Sequence, residues 1–260
     1  MKSLATAASG MEAQQTRLDV TANNIANVST PGFKKARAEF ADLMYQTLRT
    51  AGAPTGPGTQ TPTGLEVGMG VRVVDTQRMF SQGELRQSGN PLDVAIEGSG
   101  FYPVTLPSGE LAYTRDGAFK LDAEGRLVNA EGYAIGGDIS LPPDALSVSI
   151  AGDGTVSVTV PGDTAPVEVG QIELATFANP AGLAAMGHNL FRETPASGTA
   201  ITSAPGESGA GTLMQGTLEL SNVNVVEEMI DLISGQRAYE VNTRVIKAAD
   251  EMLAQTANLR

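Results

Sequence analysis

The residues that could carry chemistry are few, and their spacing narrows them further. His188 is the only histidine, and cysteine is absent. A His/Cys metal cluster therefore has no ligands to draw on, and a nucleophile–His–acid relay would hang on a single base. His188 lies in AAMGHNLF, a stretch that reads as a turn. The carboxylate pairs Asp93/Glu97 and Asp122/Glu124 have a spacing that general acid–base work could use. They flank apparent strand edges and hairpin turns, where acids are ordinary solvated positions. GSG at 98–100 and GMG at 68–70 lack a GK[ST] continuation and open no helix, so neither reads as a phosphate loop. Tyr102, Tyr113 and Tyr133 could line a glycan platform or pack into a β core. No catalytic residue, metal ligand or cofactor is assigned, and an enzyme is not expected.

The polar residues that stand out instead are amides. ANNIANVSTPGF places Asn23, Asn24 and Asn27 on one face of an otherwise apolar helical pattern. Two readings fit. The segment is a fraying last turn with Asn27 near its cap, or it is a polar face that fixes register in a packed helical seam, at some cost in stability.

The elements that would hold such a face are long helices. Leu4, Met11, Leu18 and Ile25 recur at sevens, with Ala8, Gln15 and Ala22 filling the complementary seam. This predicts a helix from near Ser3 to near Asn27, about 37 Å long at ~1.5 Å per residue. Thr30 precedes a proline and is biased away from helix. Pro31-Gly32 then suits a type II turn that leads into Phe33. At the other end Val226, Ile230, Ile233, Arg237, Val241, Val245, Ala248, Met252, Gln255 and Leu259 form a second stripe, with Tyr239 beside it. Its four-residue steps around Arg237 read as a stutter. Asn222 or Asn224 is the expected N-cap, with Glu227 and Glu228 suited to the helix dipole. Both stripes are narrow, so each helix needs the other or further copies of the chain.

Between the helices the pattern is β. Short alternating runs are broken by Asp116-Gly117, Glu124-Gly125, Glu131-Gly132 and Asp153-Gly154, all hairpin signals. Pro103 implies an edge strand or a bulge. Leu48 to Val71 has no period and reads either as a flexible linker or as an extended arm ordered against neighbours. The expected fold class is α+β. Long terminal helices (1–30 and 222–260) pair as a coiled coil, a linker and extended arm fill 31–74, and an antiparallel β domain fills 75–221.

Charge follows the same division. The net charge of −12 resides in the middle of the chain, since residues 1–50 and 222–260 are neutral together. An acidic balance disfavours nucleic acid as a partner. No apolar run is long enough to span a bilayer, so stable lipid insertion is not expected. MKSLATAASGMEAQQTRLD lacks the apolar core of a cleaved secretory signal.

ANNIANVSTPGF together with QGTLELSNVNVVEEMIDLISGQRAYEVNTRVIKAADEML resembles the terminal signatures of the bacterial flagellar rod and hook family. DVAIEGSGFYPV and YTRDGAFKLDAEGRLVNAEGY resemble that family's central β segments, and Phe40 to Arg72 is similar to the segment that distal rod members carry and hooks typically lack. Tyr102-Pro103 departs from the family's usual pair of residues. The resemblance implies a structural subunit that polymerises helically into a straight, rigid, hollow drive shaft, transmitting torque and enclosing the export channel. It makes the terminal stripes, with Asn23, Asn24, Asn27, Pro31, Gly32, Phe33, Asn222 and Asn224, subunit-packing positions. The implied partners are copies of the chain, proximal rod proteins, the hook protein, L- and P-ring proteins as a bushing, the flagellar type III export apparatus and a rod cap. The implied location is the basal body, across the periplasm towards the outer membrane, after export without a cleaved signal. Proximal rod or hook subunits are the alternative within the family. A β-rich adhesin or glycan-binding protein is the alternative outside it.

Overall fold

The computed structural model describes residues 2–52, 54–56, 59–136, 139–161 and 165–258. Leu259, and Ala53, Pro57 and Gly58 of the arm, lie outside the described residues. The chain forms two units: Met1–Ala26 with Ala36–Gln77 and Asn224–Arg260, and Asn27–Lys35 with Arg78–Val223. The class is α+β, with a helix at each end and antiparallel sheet between.

In the first unit α1 (Lys2–Ala26) lies against α2 (Val225–Asn258). Gly10 meets Asn242, Leu18 meets Gly235 and Asn24 meets Glu228, so the two helices run antiparallel. The seam is made of small residues. A Cβ on Gly10 would stand 3.0 Å from the Asn242 amide nitrogen, and one on Gly235 would stand 3.0 Å from a Leu18 methyl. Ala7, Ala13, Thr21 and Asn24 are buried on α1, and Glu228, Gly235 and Ala249 on α2. Leu4, Met11, Leu18 and Ile25 are half-buried, whereas Ala8, Gln15 and Ala22 are exposed. The in-chain seam thus runs beside the expected heptad line, because close backbone approach selects small side chains over large ones. Asn224, not Asn222, caps α2: its side-chain oxygen accepts the Val226 N–H at 3.1 Å.

The arm is a two-stranded ribbon. Ala36–Asp42 pairs with Val71–Arg78, Tyr45–Arg49 pairs antiparallel with Leu65–Gly68, and Pro54–Gly56 with Thr59–Gln60. Every residue of Tyr45–Arg49 and Leu65–Gly68 is exposed. With neither face covered, no burial pressure imposes alternation, so the strands leave no period in the sequence.

Among the described residues, the regular elements of the second unit are β-strands apart from one 3₁₀ turn. Its largest sheet runs in the order Lys120–Leu121, Leu127–Val128, Ala134–Ile135, Tyr102–Thr105, Leu111–Thr114, Leu190–Arg192, Ala184–Gly187. A three-stranded meander (Ser147–Ile150, Thr155–Thr159, Val167–Gln171) packs on it through Ile150, Val156 and Val158, which join the core with Val94, Ile96, Tyr102, Phe119 and Leu174. Glu124-Gly125, Glu131-Gly132 and Asp153-Gly154 do turn hairpins.

Two expectations are corrected. Pro103 sits in an interior strand, opposite Tyr113. It is tolerated because its carbonyl, and hence its missing N–H, faces the side where the neighbouring strand ends at Ile135 and Gly136 N–H caps it at 3.0 Å. Asp116-Gly117 is no hairpin turn: Leu111–Thr114 and Lys120–Leu121 lie apart in the sheet. Gly117 is there for contact, since its carbonyl accepts the Val94 N–H at 3.0 Å and a Cβ would fall 1.7 Å from the Val94 oxygen.

Gly117→Ala is expected to cost the second unit about 1–3 kcal/mol or more through forced backbone movement. Gly152→Ala, where a Cβ meets nothing closer than 3.6 Å, is expected to change stability by less than about 0.5 kcal/mol. Denaturant melts of the two variants compare them directly.

Candidate assembly interface

The turn after α1 forms as expected. Phe33 N–H reaches Thr30 O at 3.3 Å, and Gly32 holds φ +67°. A Cβ on Gly32 would lie 2.7 Å from the Arg115 carbonyl carbon, so glycine is required on two counts. The turn delivers Phe33 and Lys34 into the interior of the second unit, where both are buried.

Lys34 ends in a buried charge cluster that sequence reasoning missed. Its ammonium donates to Glu219 Oε1 at 2.5 Å and to Ser81 O at 2.8 Å. The other Glu219 oxygen accepts from Arg115 Nε at 3.0 Å, and the rest of that guanidinium donates to Gly100 O at 2.6 Å and Gly98 O at 2.8 Å. Gly83 N–H adds a bond to Glu219 Oε1 at 2.8 Å. The GSG loop is therefore a carbonyl cradle for an arginine. Burial, reinforced by Arg115, holds the Lys34 amine below its usual range against the pull of Glu219. Removing one member of such a cluster strands the others without solvent, at about 3–5 kcal/mol. The available signal was TLEL, which puts Glu219 on the same strand face as buried Thr217; a lone acid on a short strand reads by default as solvated.

The amides of the two terminal signatures also act within the chain. In the second unit Asn222 Oδ1 accepts the Lys35 N–H at 2.7 Å, and its Nδ2 donates to Met79 O at 2.7 Å and to Ser81 O at 3.1 Å. In the first unit Asn24 brackets Ala36, accepting its N–H at 3.0 Å and donating to its carbonyl at 2.9 Å, with Glu228 Oε2 at 3.1 Å. Asn23 is exposed. Asn27 lines a shallow cavity of about 270 Å³ with Thr30, Asp116, Glu131, His188 and Asn189. His188 and Asn189 form a two-residue hairpin turn with φ near +53° and +57°, and His188 Nδ1 meets Glu131 at 3.0 Å. Tyr102 and Tyr113 are core residues in edge-on contact with Phe119 and Phe177, so a tyrosine platform does not form.

What faces outward is the apolar stripe of α2. Val226, Met229, Ile230, Ile233, Val241, Val245 and Met252 are between 43 and 66 % exposed, with Tyr239 at 40 % and Arg237 also exposed. The ribbon adds Met44, Tyr45, Leu48 and Leu65. Apolar surface on this scale marks an association face.

Residues 4–34 match the sequence family described as Flagella basal body rod protein, 95–158 the Flagellar hook protein FlgE/F/G D1 domain, and 214–259 the Flagellar basal body rod FlgEFG protein C-terminal family. The chain is 49 % identical to the flagellar basal-body rod protein FlgG of Borreliella burgdorferi over 100 % of its own length and 99 % of that protein's. It is 49 % identical to the same-named protein of Caulobacter vibrioides over 100 % of both. A flagellar hook protein FlgE of Helicobacter mustelae is 44 % identical over 53 % of this chain and 30 % of its own.

The pH response of the second unit is testable at Asp116. Burial pushes its carboxyl above the usual 3.8, with Asp93 adding to the effect and the Ala118 N–H opposing it. The folded unit therefore binds more protons here than the unfolded chain. The resulting stability is full below the ordinary value and is lost as pH rises through the folded one. Asp116→Asn, which keeps the acceptor for Ala118, is expected to gain on the parent protein as urea melts move from pH 3.5 upward through the carboxylate range. A gap that stays constant would contradict this assignment.

Proposed function

The chain belongs to the flagellar basal-body rod protein family, and on that premise we propose that it builds the distal section of the rod as a helical polymer. It is a structural subunit of the flagellar rod, located in the basal body, in a family that assembles rod and hook. The rod reading is favoured over the hook because rod relatives cover the whole chain, whereas the hook relative covers 53 % of it.

The single observation that carries polymerisation is the outward stripe of α2. The helix packs in-chain through Glu228, Gly235 and Ala249, with Leu232 and Ile246 half-buried, and leaves Val226, Met229, Ile230, Ile233, Val241 and Val245 exposed. Neighbouring copies that cover Val226, Ile230, Ile233, Val241, Val245 and Met252 would each bury side chains worth about 1.5–3 kcal/mol. In this reading the terminal helices form a coiled-coil wall around a hollow channel. The half-buried Leu4, Met11, Leu18 and Ile25, with exposed Asn23, contribute the remaining contacts. The ribbon's uncovered strands, marginal alone, order against adjacent subunits and stiffen the shaft. The acidic β unit faces the L- and P-ring bushing, its charge limiting adhesion as the shaft turns. Proximal rod, hook and cap proteins meet the ends, and the subunit arrives through the type III export apparatus without losing a signal, crossing the periplasm towards the outer membrane.

Ile230→Asp combined with Ile233→Asp is expected to weaken each subunit contact by on the order of a hundredfold or more. The second unit's melting should be unchanged. Electron microscopy of basal bodies from a strain carrying only this variant should show rods stopped short of the distal section. Full-length rods would contradict the proposal.

A further inference from the structure

The chain passes between its two units at 26/27, 35/36, 77/78 and 223/224. On the second unit's side, three of these crossings are tied to one another. Lys35 N–H donates to the Asn222 side chain at 2.7 Å, and Asn222 in turn donates to Met79 O at 2.7 Å. Met79 N–H closes the triangle on Lys35 O at 2.9 Å, and Arg78 donates to Lys34 O at 3.2 Å. One step further inside, Gly32 N–H bonds Glu219 O at 2.8 Å and Asn222 N–H bonds Phe33 O at 3.4 Å, so residues 32–35 and 219–222 run side by side in the same direction. The cluster beneath anchors both strands. Lys34 and Glu219 meet there, and each also bonds the segment between Ser81 and Gly83.

We propose that Asn222 and Glu219 form a staple gathering three of the four chain crossings, so that displacement of any one of the three strands is resisted by all of them. A helix cap or a core contact would act on one segment. This arrangement acts on three segments drawn from residues 32–35, 78–83 and 219–222. The division of labour is chemical. Asn222 bonds backbone groups of both other strands, using its carbonyl for one and its amino group for the other. Glu219 supplies the charge that keeps Lys34 and Arg115 seated.

The test is amide hydrogen exchange, read by mass spectrometry on the full-length protein. Asn222→Ala removes the shared amide with little change in core volume. Peptides covering 31–35, 79–83 and 217–223 are expected to lose protection together, each exchanging roughly tenfold faster. Peptides covering Tyr102–Thr105 and Leu111–Thr114 should keep theirs. Glu219→Gln should extend the same joint loss to the segment around Gly98–Gly100, whose carbonyls hold Arg115. Should Glu219→Gln prevent folding altogether, Asn222→Ala decides alone. Loss confined to 217–223, with 31–35 and 79–83 unchanged, would overturn the staple. So would a uniform loss across the whole second unit.

Discussion

The peptide link Lys35–Ala36 is where the chain crosses from one unit to the other, and its backbone groups are bonded by side chains on each unit's own side. The chain leaves a helix, turns through Pro31-Gly32 and enters a ribbon within ten residues, so neither helix nor sheet supplies all of its partners. A backbone N–H or C=O removed from water and left unpaired costs about 1–3 kcal/mol, comparable to a lost hydrogen bond. Two asparagines meet the demand. Asn222 takes the Lys35 N–H, and Asn24 takes both polar groups of Ala36. An amide is suited to this because it offers a donor and an acceptor on one planar group. Asn24, Gly32, Phe33 and Asn222, read from sequence as contacts between subunits, spend their visible bonds and buried surface within the chain.

That arrangement frees the large apolar residues for another use. The seam between α1 and α2 is narrow and lined by Ala7, Gly10, Thr21, Gly235 and Ala249. Small residues permit a close approach but bury little area, so the pair contributes modest stability by itself. Val226, Ile230, Ile233, Val241 and Val245 of α2 are exposed, whereas Ile246 is half-buried. This exposed apolar surface is what the proposed polymerisation would cover, and covering it would add hydrophobic stabilisation that the helix pair lacks.

The helices, their antiparallel β centre and the hairpins at Glu124-Gly125, Glu131-Gly132 and Asp153-Gly154 were legible because each rests on a local signal: a stripe, an alternation, a glycine after an acid. What was not legible depended on tertiary contact. Which face of α2 packs in-chain could not be read from periodicity, since the small seam and the apolar stripe share one helical repeat and the larger residues dominate the pattern. The outer part of the ribbon left no trace because every residue of Tyr45–Arg49 and Leu65–Gly68 is exposed. Asp116-Gly117 mimicked a hairpin, its glycine serving instead a contact with Val94, more than twenty residues away. The Lys34–Glu219–Arg115 cluster was invisible because charged residues are rarely buried, and three of them spread over some 185 positions announce nothing until the fold joins them.

On the proposed assembly, the outward stripe of α2 is the surface by which copies of this chain hold one another. A helical reconstruction by electron cryomicroscopy of rods assembled from this chain tests it most directly. Val226, Ile230, Ile233, Val241, Val245 and Met252 are expected to be buried against neighbouring copies, while the in-chain contacts of Gly10 with Asn242 and of Leu18 with Gly235 persist. The same side chains lining an open channel or facing bulk solvent in the polymer would contradict it.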